Sequence, residues 1–282
     1  MKLLVTGGRG QLGRALVRRG AAAGHQIIAR DLPELDICDA KAVTRELDVD
    51  AVINAAAYTA VDKAETERDR AFAVNDTGVA TLARACNSAA VPLVHVSTDY
   101  VFDGSATVPY REDAPLAPLG VYGASKAAGE AHVRGINGTI VRTSWLFEER
   151  GPSFVHTMLR LAAERPVLRV VADQRGCPTW ADDLADALLV LAARSTTGTF
   201  HFCNAGATTW HAFAEAIVAE GKQHKALACE RVEAITTAEY PTPAKRPAYS
   251  VLDTAKIAAL GIVPPPWTIG LARVTEMICA AS

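Results

Sequence analysis

Three glycines spaced by three, Gly7, Gly10 and Gly13, stand between an apolar run at residues 3–6 and an amphipathic stretch that opens at Gln11. No other feature of the chain narrows its fold so much. A strand that turns at glycine into a helix presents the free N–H groups of the helix N-terminus to an anion. Gly7 permits the tight turn, Gly10 lets the backbone approach a pyrophosphate, and Gly13 permits close helix–strand packing. A glycine-rich loop alone is only a turn. Here the strand before it and the helix after it supply the context that a dinucleotide-binding loop requires.

The alternation continues along the chain. Residues 26–29, 51–54, 93–97 and 139–143 are short apolar or β-branched runs, as parallel strands covered on both faces require. Helical patterns fall at 11–23, 39–47, 64–88 and 123–134. Together they predict an α/β fold with a Rossmann-like doubly wound parallel sheet, its ligand at the carboxyl ends of the strands. Beyond residue 150 the pattern loosens into helices near 153–164, 181–194 and 210–220, a strand at 199–202, and proline stretches at 241–243 and 264–266. That half predicts a smaller mixed α/β C-terminal substrate lobe. We assign 1–150 to the dinucleotide-binding domain, rejoined by part of 165–205, and 151–282 mainly to the substrate lobe. No repeat or low-complexity linker separates them, which predicts one compact body.

Composition excludes several classes. The formal net charge is −2, with 21% charged residues, so no strongly basic face signals nucleic acid. The apolar N-terminal run stops at Gly7, too short for a secretory core, and no stretch approaches the roughly 20 apolar residues that span a bilayer. These features predict a cytoplasmic protein without membrane contact. The six cysteines are scattered without a C-x-x-C pair and the seven histidines without close pairing, so reduced thiols and no metal site are expected.

The end of the second strand should face the adenosine ribose, and it carries Arg30-Asp31. Asp31 suits a free 2′-hydroxyl; Arg30, or Arg9 in the loop, suits a 2′-phosphate. The reading leans to NADPH, with NADH also used. Asp36 and Ile37 are candidate adenine contacts, beside Asp39 as a helix cap.

Tyr122 and Lys126 stand four apart at the start of a predicted helix, hence on one face. A free tyrosine has a pKa of about 10; a nearby ammonium and a helix N-terminus should lower it and make the phenol a general acid near neutrality. By itself a Tyr-x-x-x-Lys pair is a common surface pattern. The fourth strand adds Ser97 and Thr98 at its end, where a hydroxyl can hold a carbonyl oxygen against the tyrosine. Such a set suits hydride transfer to a ketone, with a nicotinamide carrying the redox chemistry. His95, two residues upstream of Ser97, reads as structural.

These residues sit in longer strings. Gly10-Gln11-Leu12-Gly13, the run from Asn54 through Ala57-Tyr58-Thr59 to Glu65, and Ser97-Thr98-Asp99-Tyr100-Val101-Phe102-Asp103-Gly104 resemble the extended short-chain dehydrogenase/reductases. More narrowly they are similar to the dTDP-4-dehydrorhamnose reductase family, as are Arg142-Thr143-Ser144-Trp145 and Tyr240-Pro241-Thr242-Pro243-Ala244. The resemblance runs in order from residue 1 to about 275.

It implies that Tyr122 donates a proton to the C4 oxygen of dTDP-4-dehydro-L-rhamnose while NAD(P)H gives hydride to C4. Thr98 would position the carbonyl, and Lys126 would tune Tyr122 and bind the nicotinamide ribose. Gln11, Leu12, Ala57, Tyr58 and Thr59 would line the cofactor; Asp99, Tyr100 and Trp145 would meet the sugar, with Arg246 at its pyrophosphate. Some relatives are dimers bridged by Mg²⁺ through C-terminal carboxylates. The segment 266–282 holds only Glu276 as an acid, so that metal is not expected and the chain is a monomer or homodimer. The alternatives are a reductase of another nucleotide-linked 4-keto-6-deoxysugar, or a non-catalytic NADP-binding regulatory subunit. A nucleotide-sugar 4,6-dehydratase would need a second acid where Tyr100 stands.

Overall fold

A computed structural model describes residues 1–280. The first half runs β1 (Lys2–Thr6), α1 (Gln11–Ala22), β2 (Gln26–Arg30), α2 (Ala40–Arg45), β3 (Ala51–Asn54), α3 (Val61–Ala64), α4 (Arg68–Phe72), α5 (Val79–Ser88), β4 (Leu93–Thr98), α6 (Val121–Gly135) and β5 (Thr139–Thr143). The second runs β6 (Leu146–Phe147), α7 (Phe154–Glu164), β7 (Val167–Val171), β8 (Arg175–Gly176), β9 (Thr179–Trp180), α8 (Ala181–Ala193), β10 (Gly198–His201), β11 (Thr208–Thr209), α9 (Trp210–His224), β12 (Arg231–Ile235), α10 (Ala255–Ala258) and α11 (Trp267–Ala280).

Six strands form the main sheet in the order β10-β5-β4-β3-β1-β2, every pair parallel. After β1 the chain goes out to β2 on one side, then returns to β3 on the other. The switch point therefore lies between the carboxyl ends of β1 and β3, where an open α/β sheet leaves a crevice. Alternate residues of β1 serve opposite faces. Leu3 and Val5 pack with Leu184 and Leu188 of α8; Leu4 packs with Leu82 of α5 and Val43 of α2. Both faces are covered, which is why the strands read as continuous apolar runs.

One departure from the sequence reading has a clear cause. The helix expected at 64–88 is broken into α3, α4 and α5, with a π-helical turn at Ala73–Gly78 before α5. That turn carries the buried Asn75, whose amide accepts from Tyr58 N (2.9 Å) and donates to Tyr58 O (3.0 Å) and Ser125 Oγ (3.0 Å). A side chain committed to loop backbone competes with regular helix geometry. The strand expected at 199–202 is β10, which closes the far edge of the main sheet beside β5.

Beyond the carboxyl edge, α7, α9 and α11 enclose a second core that includes Leu159, Phe213, Ile217 and Val274, flanked by the parallel pair β7–β12. These two strands and α11 gave no clear period in the sequence. Among the described residues no helix is long and apolar enough to cross a membrane.

Candidate active site

A groove of about 660 Å³ follows the carboxyl edge of the sheet from the glycine turn to Trp145. At one end, Gly7 has φ +71°, and a Cβ there would come within 2.6 Å of Ala56 N. A Cβ on Gly13 would lie 2.2 Å from Gly7 O, so α1 packs on the turn only because residue 13 has no side chain. The helix opens at Gly10 without a side-chain cap, and Gly10, Gln11 and Leu12 line the groove. Uncapped N–H groups on a turn whose backbone lies bare of side chains at residues 7, 10 and 13 are what a dinucleotide pyrophosphate requires, and the residues present fit it.

At the adenosine end Asp31 also lines the groove. Its Oδ2 accepts from Arg9 N and its Oδ1 from Leu32 N, both at 2.9 Å. The Arg9 guanidinium is taken by Glu34 and by Leu32 O. Arg30 turns away from the groove toward Glu46, the residue that ends α2, at 3.1 Å. The expectation that it contacts cofactor meets this obstacle, because alternation along β2 sends its side chain to the α2 side. Asp36 and Ile37 reach the groove, and Asp36 accepts from Cys38 N. Asp39 caps α2 through Lys41 N and Ala42 N. Ala57, Tyr58 and Thr59, after β3, form the opposite wall.

The chemistry-bearing side chains meet where β4 ends and α6 begins. Glu65 caps α6, accepting from Val121 N at 2.8 Å, and so fixes the turn that carries Tyr122. Thr98, the last residue of β4, donates to Asp99 Oδ1 (3.0 Å) and accepts from Tyr100 N (3.2 Å), and it lines the groove together with Tyr122. Lys126 Nζ donates to Val96 O at 2.7 Å and lies 3.4 Å from His95 Nε2.

The acid–base balance of the site is set largely by burial. Burial pushes Tyr122 up to about 12; the neighbouring Thr98 hydroxyl works downward and the Asp99 charge upward. The Lys126 ammonium donates to the Val96 carbonyl. The phenol is thus held in its proton-bearing form. Burial lowers Lys126 to about 8, against the opposing pull of Glu130, and raises Asp99 to about 6.

Behind the site, α6 is locked to β5 by the buried pair Glu130–Arg142, bidentate at 2.9 and 2.8 Å. Burial alone would raise Glu130, but Arg142 outweighs it and holds the carboxylate below its ordinary range.

Trp145 forms the far wall with φ +49°, a backbone conformation that bulky residues rarely adopt. It stacks on Trp210 at 3.6 Å and 11° on one side, while a Cβ on Gly176 would lie 2.6 Å from its ring. Tyr100 meets Tyr122 edge to face at 5.5 Å. Arg246, expected at the substrate pyrophosphate, does not line the groove; it grips Asp62 through two bonds of 3.0 and 2.8 Å. The segment 240–248 folds back onto α3, and that contact places the guanidinium.

Sequence reasoning missed Asn75, Glu65 and Trp210 as supports of the site. Glu65 lay inside the string that begins at Asn54, so a signal existed. Asn75 and Trp210 act through partners distant in the chain and left none.

Few folds set a tyrosine and a lysine one helical turn apart against a strand-end threonine at the mouth of a dinucleotide cradle. The extended short-chain dehydrogenase/reductases do, and the geometry places the chain in that class. Residues 1–279 match the family model of the RmlD substrate binding domain, and the chain belongs to that family. It is 44% identical to the dTDP-4-dehydrorhamnose reductase of Burkholderia thailandensis, over 95% of each chain. It superposes on the dTDP-4-dehydrorhamnose reductase of Clostridium acetobutylicum with TM-score 0.92 and 38% identity, covering 99% of both chains. The enzyme of that name from Bacillus anthracis, solved in complex with NADP, gives TM-score 0.91 at 38% identity, covering 97% of this chain and 98% of that one.

Proposed function

We propose that the protein reduces the C4 keto group of dTDP-4-dehydro-L-rhamnose with NAD(P)H, giving dTDP-L-rhamnose. The observation that carries this reading is the meeting of Thr98, Tyr122 and Lys126, one turn beyond Tyr122, in the wall of the groove that begins at the glycine turn. The names of the relatives supply the substrate.

The glycine turn and the first N–H groups of α1 would hold the cofactor pyrophosphate, and Asp31 and Ile37 would border its adenosine. When bound, the nicotinamide supplies the hydride. Thr98 and Tyr122 hold the carbonyl oxygen between two hydroxyls, which fixes its orientation and stabilises the negative charge that develops there. Tyr122 delivers its proton to that oxygen as general acid. Trp145, fixed by Trp210, offers a flat apolar face to the deoxysugar. Arg246 serves the substrate end by holding segment 240–248 on α3. The enzyme works in the cytoplasm as a monomer or homodimer, without nucleic acid or membrane partners.

The test is oxidation of NADPH, and then of NADH, by purified protein given enzymatically prepared dTDP-4-dehydro-L-rhamnose. Tyr122→Phe should lower kcat about 10²- to 10⁴-fold, the usual worth of a general acid, with cofactor affinity retained. Cofactor binding without oxidation of any 4-keto-6-deoxysugar nucleotide would overturn the reductase reading in favour of a regulatory subunit. Oxidation with a different keto-sugar alone would move the substrate assignment.

A further inference from the structure

A line of buried polar side chains crosses the middle of the main sheet, and the reaction as described does not use it. Thr6 pairs in register with Asn54, and Asn54 with His95. All three are at most 1% exposed. Polar groups are costly in such a place unless each finds a partner. The line ends at the Lys126 ammonium, 3.4 Å from His95 Nε2.

One backbone group fixes every direction along it. Ala56 N–H can only donate, and its partner is Asn54 Oδ1 at 3.2 Å. The amide oxygen therefore points there, where it also accepts from the Thr6 hydroxyl at 2.6 Å. That leaves Asn54 Nδ2 to donate to His95 Nδ1 at 2.9 Å. A ring nitrogen that accepts carries no proton, so the neutral imidazole bears its hydrogen on Nε2, the nitrogen turned toward Lys126. Burial, and then the Lys126 charge, keep this ring well below the ordinary 6.5, so it does not change role by taking a second proton.

A lysine ammonium needs acceptors, and here it meets one acceptor and one donor. From β4 it faces the Val96 carbonyl and the His95 N–H; from its own helix it has Tyr122 one turn before and Glu130 one turn after. Glu130 is committed to Arg142 and Arg134, so its charge is largely spent. Thr98 and Asp99 act on Tyr122.

We propose that His95 is a positioning residue whose Nε2–H, aimed by the Thr6–Asn54 pair, opposes the ammonium form of Lys126 and so lets that lysine release and regain its proton during turnover. The inference rests on Tyr122 and Lys126 forming the proton-delivering pair. In that cycle the Tyr122 hydroxyl proton passes to the C4 oxygen of the substrate, leaving a phenolate. The Lys126 ammonium returns a proton to the phenolate through an intervening hydroxyl or water, since the two side chains are not in direct hydrogen-bond contact, and becomes an amine whose lone pair can accept from His95 Nε2–H. A solvent proton then restores the ammonium.

The decisive measurement needs no turnover. In enzyme labelled with ¹³C-lysine and ¹⁵N-histidine, without cofactor or substrate, NMR reads the Lys126 Cε shift against pH and the tautomer of His95. Lys126→Gln assigns the lysine signal. Lys126 should titrate near 8 in the unmodified enzyme. In His95→Leu, which removes the N–H, the midpoint should rise by about one unit, a tenfold gain in proton affinity. His95→Gln can accept from Asn54 and donate toward Lys126, and should stay close to the parent.

An unchanged midpoint in His95→Leu, or equal shifts in both variants, would overturn the proposal and leave His95 a packing residue. Should the leucine variant not fold, the ¹⁵N spectrum of the unmodified enzyme decides: hydrogen on Nδ1 instead of Nε2 overturns the proposal as well. Failure of the reductase reading would appear separately, as a Lys126 midpoint that responds to these variants in a protein that reduces no keto-sugar.

Discussion

Asp31 accepts hydrogen bonds from Arg9 N and Leu32 N at 2.9 Å, which presents its carboxylate to the groove as a fixed acceptor. A free ribose 2′-hydroxyl can donate to such a group, whereas a 2′-phosphate meets like charge there. Arg9, the cation that would offset this, is spent on Glu34 and Leu32 O. Asp31→Asn should therefore shift the cofactor preference toward NADPH. Loss of a charge-assisted hydrogen bond, worth about 1.5–3 kcal/mol, predicts a fall of about tenfold or more in the kcat/KM ratio of NADH to NADPH. Steady-state kinetics with both cofactors checks it; an unchanged ratio would mean that Asp31 does not face the ribose. At this scale the sequence was highly legible for glycine. The need for Gly7 and Gly13 follows from their spacing after a strand, and the 2.2 Å approach to Gly7 O at residue 13 agrees with it. Arg30 was not legible in the same way, since its partner Glu46 is set by how α2 lies over β2.

Elements hold the site through pairs that join distant segments. Trp145 on the β5–β6 connection takes its orientation from Trp210 at the start of α9, stacked at 3.6 Å. Removing that support without touching the groove should loosen the sugar platform and leave proton delivery intact. For Trp210→Leu we expect KM for the keto-sugar to rise roughly 2- to 10-fold, matching about 0.5–1.5 kcal/mol for an aromatic pair. Little change in kcat should accompany it; a large fall in kcat with KM unchanged would argue that Trp210 acts on the chemistry. The catalytic helix α6 is fixed similarly, by Glu65 at its N-terminus and by the Glu130–Arg142 pair on β5. The sequence announced α6 itself through the four-residue spacing of Tyr122 and Lys126. It did not announce the π-helical turn at Ala73–Gly78, because the cause is the contact of Asn75 with Tyr58 and Ser125.

For the molecule as a whole, buried titratable groups tie stability to pH. His201 lies between Arg142 and the Tyr110 carbonyl, and burial, followed by the Arg142 charge, lowers it from 6.5 to about 3. Between those values the unfolded chain takes up a proton that the folded protein does not. His201 therefore contributes stability that is full above 6.5 and is lost as pH falls toward 3. Asp99 works the other way, since the fold retains its proton between 3.8 and about 6. The contribution of His201 is isolated by comparison with His201→Gln. In urea unfolding, the stability difference between parent and variant should shrink by up to about 1.4 kcal/mol per pH unit as pH falls below 6.5. A difference independent of pH would show that His201 already carries its proton in the fold.

What the sequence determined by itself was whatever depends on neighbours in the chain. Strand and helix periods, the glycine turn, the Tyr122–Lys126 face and the Asp39 cap all follow from residues a few positions apart. Tertiary structure alone decided which polar groups would be spent on each other. Arg246 meets Asp62 from 184 positions away, and His95 meets Asn54 across 41. Such pairings depend on strand order and lobe docking, which are set by the packing of many apolar side chains at once and leave no local period to read.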